Sequence, residues 1–447
     1  GKGDHGEWVP GAARSWTTSP DGRAVEFAID TTRRFSDGSH LKAGDFKRSW
    51  EDALKVHKDS SQSSLREVLS QVVGFEEFPV TGRLSGVTAP SKDVLRVQFK
   101  TSFRMAIEQL HGARYGAYKS NESDGPVIGT GRYVMTESGA GQLNLEPNPH
   151  HPDFAKLRSL QVVAISASEV PSGLASGKWD CVFNTTGSWL SPEAFSVAGV
   201  EALRGEEAMH SVLHVNGTST RLMSDARMRR AVQSIFCARM KADPSLGGNT
   251  SYFDVDPQIY RKGCAGRLSD ATVAEVLREG AELIPELVAR SKAEPLVLFW
   301  NSASDDVLVK ILRDAGVSVS AQSRKIEKDY VALSRTSDEY DLMPMACSVR
   351  SDDPDGIYHV LGKNGGITNS GIKRPEVNAL LTEGKAILDP ARLDTHYQKV
   401  ALAALREVPF VHLGYARAVT LYRKDQVKVN PSLIGRGSGR LDAIEVL

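Results

Sequence analysis

The sequence predicts an α/β protein with mixed sheets flanked by helices. Residues 296–346 alternate strand and helix patterns in the order β-α-β-α-β with short connections, which is typical of a parallel sheet covered by helices. The first third of the chain shows mainly strand and turn patterns, and two amphipathic helices begin near Pro375 and Pro390. The length of 447 residues allows roughly two to four domains.

The N-terminal third is predicted to form strands joined by turns, with one early helix. Strand patterns occur at Ala24–Ile29 and Val94–Phe99. Asp45 is the predicted N-cap of a helix whose apolar residues recur every three to four positions. A stretch rich in Gly, Pro and Ser, from Ser120 to Gly131, predicts a loop that marks a boundary.

The remaining elements follow from periodicity and from proline positions. The predicted strands are Gly131–Met135, Leu160–Ile165, Cys181–Phe183, Leu296–Trp300, Gly316–Val319, Tyr340–Ala346 and Val408–Leu413. The predicted helices are Asp305–Ala315, Lys328–Arg335, Pro375–Ile387 and Pro390–Arg406. A further basic helix spans 221–241, and its charges (Arg227, Arg229, Arg230 and Arg239) are predicted to form a solvated face rather than a phosphate site.

Composition excludes several classes of protein. The chain has 55 basic and 55 acidic residues, so it lacks the large net positive charge that is typical of a nucleic-acid-binding protein. No window approaches the ~18 apolar residues of a membrane helix, and we expect no integral membrane segment. The sequence begins at Gly1 without a leader pattern, so we expect either that any signal peptide has been removed or that the N-terminus has been trimmed.

Four cysteines leave two alternatives open. None lies in a CxxC pair, which argues against a zinc ribbon or a redox motif. Cys237 and Cys264 flank a stretch rich in Pro and Gly, which suits a cross-linked loop in an oxidising compartment. Four buried thiols are the other alternative.

Motifs that carry chemistry are weak or absent. The GxG of Gly129–Tyr133 lacks a third glycine, and the paired His150 and His151 diverge in an extended stretch, so neither a nucleotide nor a metal site is predicted. Asp352–Gly356 contains three carboxylates close together, as a calcium-binding loop does. Further along, however, Lys363 occupies the position where such a loop needs Glu. This turn either lines a pocket beyond a strand end or is a solvated turn. With no GxSxG, HExxH or P-loop, we expect no enzyme, no catalytic residue, no metal and no cofactor.

Several short motifs, taken in order, resemble one protein family. They are Val9–Trp16, Ser19–Gly22, Arg34–Gly38, Leu41–Phe46, Gly129–Tyr133, Glu146–Pro149, Ser176–Asp180, Asn216 with Asp225–Ala231, Tyr340–Leu342, Asp353–Asp355 and Val408–Pro409. In order and spacing they resemble the bacterial extracellular solute-binding proteins of family 5, which are the oligopeptide-, dipeptide- and nickel-binding proteins of ABC importers. The resemblance runs from about residue 9 to the C-terminus.

The resemblance implies a two-lobed periplasmic-binding-protein fold of type II, in the class with an extra domain. By analogy, residues 1–130 form the extra domain, residues 131–225 and 405–447 form the first α/β lobe, and residues 226–404 form the second lobe. Family members begin with a further segment of the first lobe that this sequence does not contain, and we expect it to be absent, disordered or supplied elsewhere. A ligand that contacts both lobes only in the closed state would shift the population toward closure.

Departures from the family pattern bear on the ligand. Peptide-binding members have an acidic residue four positions before the Pro of the Asp-Pro motif, and here that position is Arg350. A guanidinium repels an ammonium group, so Arg350 favours an anionic or carboxylate-bearing ligand. The alternative is that Arg350 pairs with Asp352 or Asp353 and contacts no ligand. The aromatic residue expected three positions earlier is Cys347, and the Asp-Arg expected at a helix end is Cys237-Ala238.

These features together give the predicted function. The chain is expected to be an extracytoplasmic solute-binding protein of an ABC importer, periplasmic or a lipoprotein, that captures a peptide or carboxylate-bearing solute. Its expected partners are that ligand and the importer's membrane subunits, with no nucleic acid, and we expect a monomer. The predicted ligand-binding residues are Asn184, Thr185, Cys347, Arg350, Asp353 and Tyr415. The alternative is a binding-protein-like scaffold that no longer transports and acts as a regulatory or assembly partner.

Overall fold

The computed structural model describes residues 8–56, 64–120, 127–139, 141–184, 190–216, 221–247, 250–300, 306–323, 339–348, 351–361, 372, 374–430, 441 and 444–447. The chain divides into two compact units. Unit 1 comprises Gly1–Glu169, Lys424–Leu433 and Arg440–Leu447, and unit 2 comprises Val170–Arg423 and Ile434–Gly439. In the described part of the chain, no helix is long and apolar enough to cross a membrane.

Unit 1 begins with an antiparallel sheet in the order β1-β2-β4-β3. Its strands are β1 (Ala13–Thr18), β2 (Ala24–Ile29), β3 (Val87–Ser91) and β4 (Val94–Gln98). The helices of this region are α1 (Ala43–Val56), α2 (Ser64–Leu69), α3 (Phe78–Thr81) and α4 (Ala106–Leu110). Buried side chains of these strands and of α1 form one hydrophobic core. The strand predicted at Ala24–Ile29 is confirmed, and the one predicted at Val94–Phe99 ends one residue earlier.

The predicted N-cap of α1 is wrong. The helix begins at Ala43, so Asp45 is its third residue. The Lys42 N–H donates to the Asp45 carboxylate at 2.8 Å, and Asp45 is buried. A carboxylate at the third helical position that bonds back to the capping N–H is one half of a capping box. Asp45 therefore stabilises the helix start from inside the helix.

Five further strands of unit 1 come from its middle region. They are β5 (Tyr118–Ser120), β6 (Val127–Gly129), β7 (Tyr133–Gly139), β8 (Gln142–Pro147) and β9 (Leu160–Val163). β5 pairs with β6, and β7-β8-β9 form an antiparallel sheet. The loop predicted from Ser120 to Gly131 is therefore partly wrong, because Ser120 ends β5 and Val127–Gly129 form β6. Residues 121–126 lie outside the described part.

Unit 2 contains one mixed sheet. Its strands are β10 (Cys181–Asn184), β11 (Val200–Val215), β12 (Phe253–Val255), β13 (Leu296–Trp300), β14 (Val319–Ser323), β15 (Leu342–Ser348) and β16 (Phe410–Arg423). The order is β10-β16-β11-β15-β13-β14, and β12 pairs with β16. Two short strands of unit 1 follow, β17 (Val427–Val429) and β18 (Ile444–Val446), and they pair with each other.

The helices of unit 2 cover this sheet. They are α5 (Val170–Ala175), α6 (Ala226–Ala242), α7 (Asp270–Ala281), α8 (Ile284–Ala293), α9 (Asp306–Asp314), α10 (Tyr358–Leu361), α11 (Pro375–Gly384) and α12 (Pro390–Glu407). The apolar face of α6, with Met228, Val232 and Phe236, packs in the core with Leu298 of β13 and Leu342 of β15.

The predicted alternation of strands and helices is largely confirmed. β13 is parallel to both β14 and β15, with α9 between β13 and β14. β14 begins at Val319 rather than at Gly316, and the helix predicted at Lys328–Arg335 lies outside the described residues. The strand predicted at Val408–Leu413 begins two residues later, at Phe410, and is the first part of the longer β16. β15 is also antiparallel to β11, so the sheet is mixed.

Two further predictions are settled by burial and by the cysteine geometry. Arg229 is not part of a solvated helix face, because it is 3% exposed and its guanidinium donates to backbone carbonyls. The disulfide alternative for Cys237 and Cys264 is wrong: all four cysteines are thiols, two of them buried and two half-buried. The division into an extra domain and two lobes stays a prediction.

Candidate functional site

Three neighbouring strands of unit 2 bring a row of side chains together. His210 on β11 is paired directly with Cys347 on β15 and, on its other side, with Tyr415 on β16. Directly opposed residues of antiparallel strands lie on the same face of a sheet, with Cβ atoms about 5 Å apart. All three side chains are buried. The predicted site residues Cys347 and Tyr415 are therefore the two neighbours of His210, a residue that no sequence motif marks.

A small pocket lies beside this row, where the turn after β15 meets the sheet. Its cavity measures about 20 Å³, which is room for about one water molecule. We call it the strand-end pocket. Its lining consists of His210, Ile259, Tyr260, Arg261, Cys264, Ser351, Asp352, Asp353, Pro354, Gly356, Ile357 and Tyr415.

The acidic turn is built into the fold and also lines the pocket. The Asp353 carboxylate accepts from the Asp355 N–H at 2.9 Å, and the Asp353 N–H donates to the Ser351 hydroxyl at 2.9 Å. The Tyr397 hydroxyl donates to Asp355 at 3.0 Å, and Asp355 is buried. Of the two alternatives for this turn, the structure supports a pocket wall. Asp353 is half-buried in that wall, and its role as a ligand-binding residue stays a prediction.

An ion pair closes one side of the strand-end pocket. The Arg261 guanidinium, with a side chain 16% exposed, contacts both Asp352 and Glu206. The Cys264 thiol lies 3.9 Å from an Asp352 carboxylate oxygen, within reach of a weak S–H hydrogen bond. Both signs of charge therefore meet at the pocket rim, which can bind a ligand that carries polar or charged groups.

Tyr260 contributes a buried hydroxyl to the pocket. The residue is 4% exposed, and within the described residues its hydroxyl oxygen has no hydrogen-bond partner. Burial raises the pKa of this hydroxyl well above its ordinary value, so it is a neutral donor at physiological pH. A buried polar atom without a partner costs free energy, and functional sites are one place where such a cost is retained. The hydroxyl is thus a candidate ligand contact that sequence reasoning missed.

Backbone carbonyls hold Tyr415 and His412, and His412 in turn contacts His210. The Tyr415 hydroxyl donates to the Gln258 carbonyl at 2.9 Å. His210 Nδ1 lies 3.0 Å from His412 Nε2, and His412 Nδ1 donates to the Asp256 carbonyl at 2.6 Å. Because His412 Nδ1 is a donor, its Nε2 accepts from His210. Burial lowers the pKa of His412 to about 4, so the ring is neutral at pH 7.

The remaining predicted residues are not brought into the strand-end pocket by the described structure. Asn184 is the last residue of β10 and pairs with Val419, four positions beyond Tyr415 on β16. Thr185 and Arg350 lie outside the described residues. In the part of the chain that the structure describes, no group of three or more His, Cys, Asp or Glu is placed to hold a metal ion.

Solved structures with this fold are ligand-binding proteins. The structure of the Escherichia coli murein tripeptide binding protein MppA matches with a TM-score of 0.79 at 18% identity, covering 100% of this chain and 91% of that chain. Haemophilus influenzae OppA in complex with RPPGFSPFR matches with a TM-score of 0.76 at 16% identity, covering 99% and 91%. NikA from Staphylococcus aureus in complex with Ni(L-His)2 matches with a TM-score of 0.77 at 15% identity, covering 100% and 93%. These likenesses confirm the α/β periplasmic-binding-protein fold.

The sequence identifies the family. Residues 7–237, more than half of the chain, match the family described as bacterial extracellular solute-binding proteins, family 5 Middle. The chain belongs to this family of solute-binding proteins. A curated relative, the periplasmic murein peptide-binding protein MppA of Escherichia coli (strain K12), is 26% identical over 164 residues. That match covers 34% of this chain and 30% of the relative's length. The family and the solved neighbours are binding proteins, not enzymes.

Proposed function

We propose that the chain is an extracytoplasmic solute-binding protein of an ABC importer that captures a peptide, a peptide-like solute or another carboxylate-bearing solute. Family membership over residues 7–237 supports the class of protein. One observation carries the site: the buried Tyr260 hydroxyl, without a partner among the described residues, lies in the pocket that also contains Asp353 and Tyr415. Two of the six residues predicted from sequence therefore line a pocket with an unused donor.

Ligand entry requires the strand-end pocket to open. A cavity of about 20 Å³ is too small for a peptide group. The contacts that must separate are those of Arg261 with Asp352, on the rim. In the proposed mechanism the ligand replaces these contacts, bridges two lobes, and shifts the population toward a closed form that the membrane subunits recognise. For the extra domain and the two lobes we propose the bounds predicted from the sequence.

The proposed surroundings follow from the family. The curated relative is named as a periplasmic protein, which supports a periplasmic location or an extracytoplasmic lipoprotein. The proposed partners are the solute and the membrane subunits of an importer, and the chain is proposed to work as a monomer. The size of the pocket also favours a second candidate function, a scaffold that no longer transports, because such a protein needs no room for a solute.

Native mass spectrometry of the freshly purified protein tests the transport proposal. A solute-binding protein should carry a co-purified mass that is released by partial unfolding, and the mass identifies the solute class. A spectrum with only the apo mass, after expression in a peptide-rich medium, contradicts the proposal and favours the scaffold.

Arg350→Ala tests whether the solute is held by its carboxylate. Removing the guanidinium should lower the fraction of protein that carries the mass by roughly tenfold, because a charge-assisted hydrogen bond contributes about 1.5–3 kcal/mol. Arg392→Ala is the matched control, since Arg392 is exposed on α12. Equal occupancy in both variants rules out the anchoring role.

A further inference from the structure

A second cavity lies in unit 1, far along the chain from the strand-end pocket. It is bounded by the β1-β2-β4-β3 sheet and by helices α1 and α4, and it measures about 180 Å³. The sheet contributes Trp16, Phe27 and Leu95, and the helices contribute Phe46, Trp50 and Ile107. We call it the aromatic cavity.

The lining of the aromatic cavity is apolar and almost without charge. Among its described lining residues there is no Asp, Glu, Lys or Arg, and the titratable rings are His111 and Tyr115. The indole N–H of Trp50 is already used, because it donates to the Tyr115 carbonyl at 2.9 Å. The cavity therefore presents ring faces and ring edges, and few groups that could hold water.

The aromatic rings that line the cavity pack against one another edge-on. The Trp50 ring lies edge-on to Phe46 at 6.4 Å and edge-on to Tyr115 at 6.3 Å, measured between ring centroids. Trp8 and His111 form a further edge-on pair at 5.0 Å. Aromatic pairs prefer such edge-to-face and offset geometries, and each pair adds about 0.5–1.5 kcal/mol beyond area burial.

Size and chemistry together define the occupant. An engineered apolar cavity of about 150 Å³ has room for benzene, and the cavity here, at about 180 Å³, has room for a ring of that size, although it is partly open to solvent beside the half-buried Trp16 and Phe27. We propose that the aromatic cavity is a binding site for a small uncharged aromatic molecule, from a substituted benzene ring to an indole.

Bromobenzene provides a direct test. It is uncharged, it consists of one substituted benzene ring, and its bromine atom quenches tryptophan fluorescence. Trp8, Trp16 and Trp50 line the aromatic cavity, out of six tryptophans in the chain. We expect saturable quenching of the full chain, with one molecule bound per chain by calorimetry. Quenching that rises linearly without saturation is collisional and overturns the proposal.

Matched variants locate the site. Ala13→Leu adds volume from β1 into the aromatic cavity and should weaken bromobenzene binding by at least about tenfold. Ser15→Leu adds the same group at an exposed position of the same strand, outside the lining, and should leave the affinity unchanged. If Ala13→Leu fails to fold by circular dichroism, Ala12→Leu, also at the cavity, carries the same comparison. Equal affinity in the cavity variant and in Ser15→Leu places the bound molecule elsewhere and contradicts the proposal.

Discussion

Arg229 shows how burial gives a charged side chain a structural role. Its guanidinium donates to the carbonyls of Val408 at 2.9 Å, Met223 at 3.0 Å and Ser224 at 2.9 Å, and twice to that of Glu407. Burial lowers the pKa of Arg229 to about 10, so the group is still charged at neutral pH. Val408 has φ of 45°, which is rare for a β-branched residue. Arg229 thus holds a strained turn at the start of β16.

We expect Arg229→Ala to destabilise the protein by about 3 kcal/mol or more, because several buried carbonyls lose their donor and a cavity is left. The free energy of unfolding in urea measures the change. Arg227→Ala is the matched control on the same helix, where the side chain is half-exposed and pairs with Glu286, and it should cost at most about 1 kcal/mol. Similar losses in the two variants contradict the structural role of Arg229.

His412 predicts a pH dependence of stability. Burial lowers its pKa to about 4 in the folded state, whereas the unfolded value is about 6.5. The unfolded chain therefore binds the proton more readily, and stability is fully present above pH 6.5 and falls between pH 6.5 and 4. The carbonyl of Asp256 and the Asp256–Arg267 ion pair, at 2.8 Å, face the same ring. The loss should amount to a few kcal/mol.

The comparison that isolates this effect is His412→Gln. Between pH 6.5 and 4, the unfolding free energy of the variant should decrease less than that of the parent protein. This holds even if the variant is less stable at every pH. Parallel curves for the two proteins show that another group accounts for the acid sensitivity.

Tyr260→Phe tests the candidate ligand contact at the scale of one atom. Removing the hydroxyl should lower the fraction of protein that carries a co-purified solute by roughly five- to tenfold, because the binding free energy loses the contribution of about one hydrogen bond. It should not destabilise the ligand-free protein, because the hydroxyl has no partner among the described residues. Tyr422→Phe, which loses a bond to Glu201 at 2.8 Å outside the pocket, is the control. A stability loss at Tyr260 without an occupancy loss contradicts the ligand role.

Among the secondary-structure elements, β12 depends on a single glycine of β16. Val255 pairs with Gly414, and a Cβ at Gly414 would come within 2.1 Å of the Asp254 carbonyl oxygen. Gly414 has φ of 156°. Because the obstacle is backbone rather than a flexible side chain, only glycine allows the two strands to approach this closely.

Gly414→Ala should therefore destabilise the protein by about 2 kcal/mol or more and displace the adjacent pocket residue Tyr415. Gly44→Ala is the control, because no atom lies within 4 Å of the added Cβ. Gly44 is in α1, and the same substitution there should stabilise by about 0.5–1 kcal/mol. The free energy of unfolding, measured with heat or urea, tests both variants. An unchanged value for Gly414→Ala means that β12 moves away without cost and contradicts the prediction.

Local periodicity predicted the elements that carry their own signals, and it missed those that depend on distant partners. Helices α11 and α12 begin at prolines, and β4 alternates between apolar and polar residues, so each was predictable. β11 was not, because Arg204, Glu206 and Glu207 interrupt its pattern, and its stability comes from β15 and β16. Glu207 is tolerated there because it pairs with Arg417 at 3.2 Å.

The candidate site was partly predictable for the same reason. Asp353 and Tyr415 follow from the family resemblance, and both line the strand-end pocket. His210, Tyr260 and Arg261 reach it through nonlocal strand pairing and through the segment after β12, which a single sequence does not encode in any short motif. A buried hydroxyl without a partner is visible only in three dimensions.

For the whole molecule, charge balance predicts solution behaviour. The 55 basic and 55 acidic residues cancel, and the isoelectric point is about 7.3. Protein molecules with a net charge near zero lack the electrostatic repulsion between copies that opposes their association. We expect solubility to be lowest near pH 7.3 and to rise a few-fold at pH 9, as measured by precipitation with polyethylene glycol. A minimum displaced by more than about one pH unit would show that a few strongly shifted groups dominate the charge.

The long pairing of β11 with β16 also has a consequence for how the chain reaches its native state. Residues that pair across these strands, from Val200 with Arg423 to His214 with Phe410, are more than 190 positions apart. Closing so long a loop costs entropy before any ladder bond forms, and such nonlocal topologies fold slowly. On a ribosome, β11 would emerge long before its partner exists. The sheet that carries the strand-end pocket must therefore be among the last parts of the protein to assemble. Until β16 is in place, the unpaired edge of β11 is the part of the chain most prone to aggregate.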